Sequence, residues 1–143
     1  MRPVIAGIIV LIVLAVFFSW RFNKPAAPLE SSRVSQSLAA KLKGMWLRQD
    51  GGYVIEIRGI STDGKVDAAY FNPSPIHVSR AEATQEGTTI KLYVELRDTN
   101  YPGSYYTLTY DAIADQLRGV YYQAVQQQVF DVTFLRNPSP EKQ

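Results

Sequence analysis

Residues 90–97 read Ile-Lys-Leu-Tyr-Val-Glu-Leu-Arg, and this stretch decides the fold class. Its aliphatic residues occupy every second position, and the residues between them are charged or amphipathic. Because successive side chains of a β-strand point to opposite faces, this alternation predicts a strand with one buried face. The same period recurs at residues 53–58, 106–110 and 130–134. The sequence therefore predicts a protein built from half-buried strands.

Short turns separate these strands. Residue clusters that favour turns lie at 50–52, 62–64, 72–75, 85–87, 101–103 and 112–115. They divide the chain into strands over residues 45–50, 52–59, 65–72, 76–84, 88–98, 103–110, 116–123 and 127–136. We therefore expect an all-β fold, an eight-stranded antiparallel up-and-down barrel over residues 44–136, because closure removes exposed sheet edges. A two-sheet sandwich is the alternative, although it would usually need longer crossover connections.

An apolar segment precedes the predicted barrel. Residues 3–20 contain no charged side chain, and these eighteen residues would span about 27 Å as a helix, close to the hydrocarbon thickness of a bilayer. The sequence thus predicts a transmembrane anchor helix over residues 3–22. Its bulky end, with Trp20 beside Arg21, favours a retained anchor over a cleaved signal peptide. A buried core helix would seldom be so uniformly apolar.

The segments on either side of the predicted barrel carry no strand pattern. Residues 23–43 are rich in Pro, Ala and Ser, which predicts a linker between membrane and domain. Within it, apolar residues at helical spacing predict a short helix over residues 34–42. Residues 137–143 include two prolines, which cannot continue regular structure, so they are predicted to be a disordered tail.

The charge distribution bears on location and partners. Three of the fifteen basic residues flank the apolar segment, and from residue 25 onward twelve Lys and Arg face thirteen Asp and Glu, a net charge of −1. These basic residues are scattered, so no nucleic-acid partner is expected. An N-terminal tail of two residues fits an anchor with its N-terminus in the cytoplasm. The expected location is a single-pass protein of the inner (cytoplasmic) membrane with a periplasmic or otherwise extracytoplasmic domain.

The start of the barrel resembles that of the calycins. Gly44-Met45-Trp46 opens the first predicted strand after a short helical segment. Arg136 lies in the last strand, at a position that alternates in step with the apolar residues of that strand, so its side chain is expected to point inward as theirs do. This pattern is similar to that of lipocalins and avidins, and it implies a calycin-like barrel in which Trp46 and Arg136 close one end. The resemblance also implies binding of a small ligand. Biotin is not expected, because avidins enclose it with several tryptophans and Trp46 is the only one in this domain.

Residues able to perform catalysis or hold a metal are sparse. His77 is the only histidine and there is no cysteine, so multi-histidine and thiolate metal sites are excluded. No Gly-x-Ser-x-Gly elbow or phosphate-binding loop occurs. Glu95 and Asp98 are conceivable paired carboxylates, but they fall on or beside a polar face. We therefore predict no enzyme activity, no catalytic or metal-binding residues, and no cofactor.

Tyrosine is the one residue type in excess, and all nine tyrosines lie in the predicted barrel. Strand parity directs five of them inward as candidate ligand-binding residues: Tyr53, Tyr70, Tyr106, Tyr110 and Tyr121. An eight-stranded barrel is just wide enough to be filled by side chains or to hold one small ligand. Both a filled interior and an interior with a cavity are therefore compatible with the sequence.

Residues 101–105 combine aromatic residues with residues typical of turns, which suits partner recognition and an ordinary hairpin equally.

These observations together predict a membrane-anchored binding module of a bacterial cell envelope. Its expected partners are the membrane and a small apolar or amphipathic ligand. The alternative is a solid barrel that acts as an interaction or assembly subunit with an envelope protein partner.

Overall fold

The computed structural model describes residues 28–138, which form one helix and nine strands. The helix, α1, spans Pro28–Leu42 and leads directly into the sheet. The strands are β1 (Gly44–Arg48), β2 (Val54–Ile60), β3 (Val66–Asn72), β4 (Ser74–Ile76), β5 (Val78–Glu86), β6 (Thr89–Asp98), β7 (Tyr101–Asp111), β8 (Gln116–Gln123) and β9 (Gln128–Asn137).

Helix α1 is longer than the predicted segment 34–42 and begins within the predicted linker. Proline is favourable at the first helical position, and α1 has Glu30 in its first turn and Lys41 in its last, each matching the helix dipole. Leu38 and Leu42 are buried against the barrel, whereas Val34 is 41% exposed. The helix therefore lies across one end of the barrel, which we call the α1 end.

The strands form one antiparallel sheet in the order β4-β3-β2-β1-β9-β8-β7-β6-β5. Chain neighbours pair throughout, and the first and last long strands pair as well, with Trp46 opposite Arg136. The all-β, antiparallel prediction is confirmed. The two outermost strands, β4 and β5, are consecutive in the chain, so the sheet curls into a nearly closed barrel.

The strand count of eight is wrong. The extra strand is β4, and two of its three residues, 74 and 75, were expected in the turn at 72–75. It pairs with β3, and after a division at His77 the strand β5 pairs with β6. Pro73 and Pro75 lack the N–H groups that a regular ladder needs, which confines β4 to a short edge. At the division the carbonyl of His77 accepts a hydrogen bond from the N–H of Arg97 (3.0 Å), and its own N–H donates to Asp98 (2.9 Å).

Two other predicted boundaries are shifted. Residues 101–103 were expected in a turn but begin β7, and the turn is made by residues 99–100, with Asn100 at a φ of 68°. Asn137, expected to begin the tail, ends β9 opposite Met45. The remainder of the tail, residues 139–143, lies outside the described residues.

An opening interrupts the barrel wall between β3 and β5. Near the α1 end, Lys65 forms an isolated bridge with Glu82, and the N–H of Ala83 donates to the carbonyl of Gly64 (2.9 Å). Beyond that point the wall contains a cleft of about 380 Å³, lined by residues 65–68 and 78–82. Hydrogen bonds thus join the two edges near the α1 end, and at the other end the chain itself joins them where it passes from β4 to β5 through His77.

The core consists of side chains from α1 and from the inner face of the barrel wall. Its largest fully buried side chains are Trp46, Tyr70, Tyr106, Phe134, Leu42, Ile55, Ile57, Ile90, Leu92, Leu96, Leu108 and Leu117.

On the outer surface three other tyrosines, Tyr93, Tyr105 and Tyr122, lie side by side with ring centroids 5.6 and 5.1 Å apart. Cross-strand aromatic contacts of this kind stabilise a sheet, so these tyrosines contribute to the stability of the barrel wall.

The predicted anchor helix over residues 3–22 lies outside the described residues, as does the first part of the predicted linker. Between residues 28 and 138, no helix has the length and apolar character needed to cross a bilayer.

Candidate functional site

A cavity of about 540 Å³ opens at the end of the barrel opposite α1, which we call the mouth. It is bordered by the β1–β2, β3–β4, β6–β7 and β8–β9 connections. The side chains around it belong to six strands and two of these connections: Arg48, Tyr53, Tyr70, Asn72, Ile76, Thr99, Asn100, Tyr101, Tyr121, Gln123 and Phe130. The interior is therefore filled at the α1 end and hollow at the mouth, a combination of the two predicted possibilities.

Arg48 is the charged residue of this cavity. It follows Trp46 by two positions on β1, so its side chain has the same inward direction, and it is only 8% exposed. Its guanidinium lies between two aromatic rings, 4.3 Å from the centroid of Tyr53 and 5.7 Å from that of Tyr121. Two cation–π contacts of this kind stabilise a charge that burial would otherwise disfavour.

Hydrogen bonds also satisfy the Arg48 guanidinium. Its Nε and Nη2 donate to the two carboxylate oxygens of Asp50, at 2.5 and 2.8 Å, and Nη1 donates to the hydroxyl of Tyr106 (3.2 Å). Burial alone would lower the pKa of Arg48, but the bonds with Asp50 and Tyr106 raise it overall. The same bond from Arg48 lowers the pKa of Asp50. Both groups are therefore ionised, and together they carry no net charge.

Tyrosine hydroxyls extend this network into the barrel. The Tyr106 hydroxyl is 3.0 Å from that of Tyr70, and the Tyr106 ring is stacked on Tyr121 at a centroid distance of 4.5 Å. Burial raises the pKa of Tyr106 to about 12 and also raises that of Tyr70. Both phenols are thus neutral near pH 7. Closer to the rim, the amide of Asn72 donates to the hydroxyl of Tyr101 (2.6 Å).

Gln123, one of the residues around the cavity, carries an unusual polar atom. Its Oε1 is buried, yet it has no hydrogen-bond partner among residues 28–138. A buried acceptor without a donor costs about 1–3 kcal/mol.

The five tyrosines predicted to bind a ligand divide into three sets. Tyr53, Tyr70 and Tyr121 line the cavity. Tyr106 is fully buried below it and supports it through hydrogen bonds. Tyr110 lies at the α1 end, where its ring meets Trp46 edge-on at 6.0 Å, so it has no part in the mouth.

Sequence reasoning overlooked three polar residues of the cavity: Arg48, Asn72 and Gln123. The parity that directs Trp46 inward also directs Arg48 inward, and this signal was available from β1. Asn72 and Gln123 sit at strand ends, where parity alone does not separate a cavity residue from an ordinary turn residue.

The α1 end of the barrel is closed by Trp46 and Arg136. The Arg136 guanidinium lies 4.2 Å from the centroid of the Trp46 ring and donates to the carbonyls of Lys41 (2.6 Å) and Lys43 (2.8 Å). It also forms two hydrogen bonds to Asp115, which lower the pKa of that carboxylate. The Trp46 Nε1 donates to the carbonyl of Leu42 (2.8 Å). These contacts satisfy carbonyls at the C-terminus of α1 and fix the helix to the barrel.

The other titratable residues considered from sequence do not converge on the cavity. His77 is exposed, and Asp98 is held by the backbone N–H groups of His77 and Thr99. Glu95 accepts hydrogen bonds from Tyr93 and Arg97 on the outer surface. Within residues 28–138, no three His, Cys, Asp or Glu side chains are grouped in a way that would hold a metal ion.

Comparison of the chain with protein-family models, curated proteins and solved structures finds no match.

Proposed function

We propose that this protein is a membrane-tethered, non-catalytic binding module that takes a small amphipathic ligand into the mouth of its barrel. The observation that carries the proposal is the cavity of about 540 Å³ with Arg48 at its wall. Its volume falls within the range of about 300–1,000 Å³ that is usual for small-molecule sites. A pocket with apolar walls and a few fixed polar groups is the usual form of such sites.

The walls of the cavity suit a ligand with both apolar and polar parts. Tyr53, Tyr121 and Phe130 supply ring surface, while Arg48 and Gln123 supply polar atoms. Much of this arrangement is already fixed, because Arg48 is held by Asp50 and Tyr106. A preformed site loses little side-chain entropy when a ligand binds, which favours affinity.

The calycin-like character of the barrel is part of the proposal. The up-and-down strand order, the binding of Arg136 to the face of Trp46 and the helix across the same end support it. Nine strands and the seam between β3 and β5 are departures from the expected eight-stranded form.

We also propose that residues 3–22 anchor the protein in the inner membrane of a bacterium and that the barrel lies outside the cytoplasm. The uncharged run at residues 3–20 supports the anchor. Extraction of membranes with alkaline carbonate removes peripheral proteins, and we expect the full chain to stay in the membrane pellet. Full release into the supernatant would contradict the anchor, and a C-terminal alkaline phosphatase fusion without activity would contradict the orientation.

The mouth cavity is tested by filling it. Thr99 is exposed on the β6–β7 turn and lines the cavity, so Thr99→Trp places an indole in the space without removing a core contact. We expect this change to weaken binding of an uncharged fluorescent probe, N-phenyl-1-naphthylamine, at least about tenfold, which corresponds to about 1.4 kcal/mol. Fluorescence titration of the full chain in detergent measures it.

The matched control is Thr109→Trp, which adds the same side chain at an exposed position of β7 away from the mouth. It also corrects for probe that enters the detergent, since both variants carry the same background. Equal binding by the two variants would overturn the proposed site. The interaction-subunit alternative, which the exposed side chains of Val125 and Val129 favour, would then gain support if the chain sediments with an envelope protein.

A further inference from the structure

The exposed apolar side chains of the barrel are found at its two ends. Six large apolar residues are exposed among residues 28–138. Three of them lie at the mouth, on or beside the β8–β9 turn, and three lie at the α1 end: Leu29 and Val34 on α1 and Ile113 on the β7–β8 turn. The α1 end therefore presents apolar groups to its surroundings, although the inner side of α1 is packed on the barrel.

The same end carries three exposed cations. Arg33 and Lys41 lie on α1 and Lys43 directly follows it, and all three side chains are exposed. Within residues 28–138 none of the three forms an ion pair. Glu30 is the single acidic residue between residues 28 and 43. These cations are therefore free to meet a negatively charged partner.

The carboxylates at the α1 end do not cancel these cations. Those on or beside its turns are held by an ion pair or by backbone N–H groups: Asp63 with Lys65, Glu86 with Lys91, Asp115 with Arg136, and Asp111 with the N–H groups of residues 113 and 114. Residues 21–43 contain five Lys and Arg against one Glu, a net charge of +4, whereas residues 44–136 contain eight Lys and Arg against eleven Asp and Glu, a net charge of −3. Positive charge is thus concentrated in the segment next to the proposed anchor.

The tether between the proposed anchor and the barrel is short. Residues 23–27 separate residue 22 from Pro28, the first residue of α1, and even a fully extended chain would span at most about 20 Å between them. Strand β7 has 11 residues and runs from the mouth to the α1 end, which at the usual rise and tilt of barrel strands gives a wall about 25–30 Å high. The first turn of α1 lies beside the β2–β3 turn, at the α1 end. The α1 end is therefore the end nearest to the anchor.

We infer that the α1 end is a docking surface for the anionic lipid headgroups of the bilayer that holds the anchor. The inference rests on the anchor in the proposed function and adds the face of the barrel that meets the membrane. Cations attract negatively charged headgroups, and exposed apolar side chains near them enter the interfacial layer, as on other amphipathic membrane-binding surfaces. The same headgroups repel the net negative barrel. The mouth consequently opens away from the bilayer, and its ligand enters from the aqueous phase.

Site-specific fluorescence quenching tests this orientation. The chain has no cysteine, so Thr62→Cys and Thr99→Cys each introduce a single thiol, on exposed turns at the α1 end and at the mouth. Each full-chain variant is labelled with bimane and reconstituted into vesicles of phosphatidylcholine and phosphatidylglycerol in which a fraction of the headgroups carries a spin label. We expect quenching at residue 62 to be at least about threefold stronger than at residue 99, because the barrel separates the two positions by roughly 25 Å.

The role of the cations on α1 is tested in the same vesicles. Arg33→Gln combined with Lys41→Gln removes two exposed charges without changing the core. We expect this double variant to lower the quenching at residue 62 by roughly half, because each basic residue near an anionic surface contributes to binding. Arg80→Gln combined with Arg97→Gln is the matched control, since it removes two charges from the outer wall of the barrel. The control is expected to leave the quenching unchanged.

Flotation of the vesicles in a density gradient separates failure of this inference from failure of the anchor. If the chain floats with the vesicles but is quenched equally at residues 62 and 99, the docking surface is wrong and the anchor stands. Equal effects of the two double variants would also overturn the docking surface. A chain that does not float with the vesicles would overturn both. Ligand binding at the mouth is measured separately with N-phenyl-1-naphthylamine and does not depend on these results.

Discussion

Replacing Trp46 with alanine is expected to lower the free energy of unfolding by about 3–5 kcal/mol. Trp46 is fully buried, its Nε1 donates to the carbonyl of Leu42, and its ring lies under the guanidinium of Arg136. The substitution removes the largest side chain of the core and leaves Arg136 without the ring it covers. Since small domains are stable by only about 5–15 kcal/mol, the variant should be partly unfolded at 37 °C.

Urea unfolding followed by far-ultraviolet circular dichroism measures this loss, because that signal does not depend on the tryptophan that is removed. Trp46→Phe keeps an aromatic ring but loses the hydrogen bond to Leu42, so we expect about 1–2 kcal/mol from that variant. Ile113→Ala is the control at a fully exposed side chain and should change stability by less than about 0.5 kcal/mol. A loss below about 1 kcal/mol for Trp46→Ala would mean that the α1 end is not closed as described.

Gly119→Ala is expected to be the second most damaging change, although it adds only one methyl group. Gly119 lies opposite Leu108 in the β7–β8 ladder, and a Cβ at this position would collide with the carbonyl oxygen of Thr107. The obstacle is backbone, so no side-chain rotation relieves it and the two strands must move apart. We expect a loss of about 2–3 kcal/mol, at the upper end of the cost of overpacking.

Gly59→Ala is the matched control, since a Cβ at Gly59 has open space around it. We expect it to leave the urea midpoint unchanged or to raise it slightly, because alanine reduces the entropy of the unfolded chain. Hydrogen exchange adds a local readout. In Gly119→Ala the amides of β7 and β8 should exchange faster than those of β1 and β2, whereas similar stability of the two glycine variants would contradict the close approach at Gly119.

The sequence predicted the fold class because the barrel wall has one buried and one solvated face. Residues 90–97 show this in its simplest form, and they became the central part of β6, with every second residue buried. The predicted strand 116–123 matches β8 at both ends. The same reasoning missed β4, because residues 72–75 have the composition of a turn, whereas residues 74–76 pair with β3 in the structure.

The candidate site was only partly accessible from the sequence. The alternation of side chains along the strands predicted that Tyr53, Tyr70 and Tyr121 point into the barrel. The alternation does not show, however, whether an inward side chain lies at the mouth or at the α1 end. Tyr110 has the expected direction and still lies at the opposite end, beside Trp46. Whether the interior is hollow depends on how the side chains of many strands fill a shared space, and a pattern read along one strand does not contain that information.

The opening between β3 and β5 has a consequence for how the molecule avoids aggregation. Two short stretches of strand edge are left without a full ladder there, and an unpaired edge is a template on which a second chain can add. Lys65, Asp67, Arg80 and Glu82 stand around this opening, and each side chain is substantially exposed. A foreign strand that docked here would have to strip water from charges of both signs. The charged side chains around the opening thus oppose edge-to-edge self-association, although the strand edges there are unpaired.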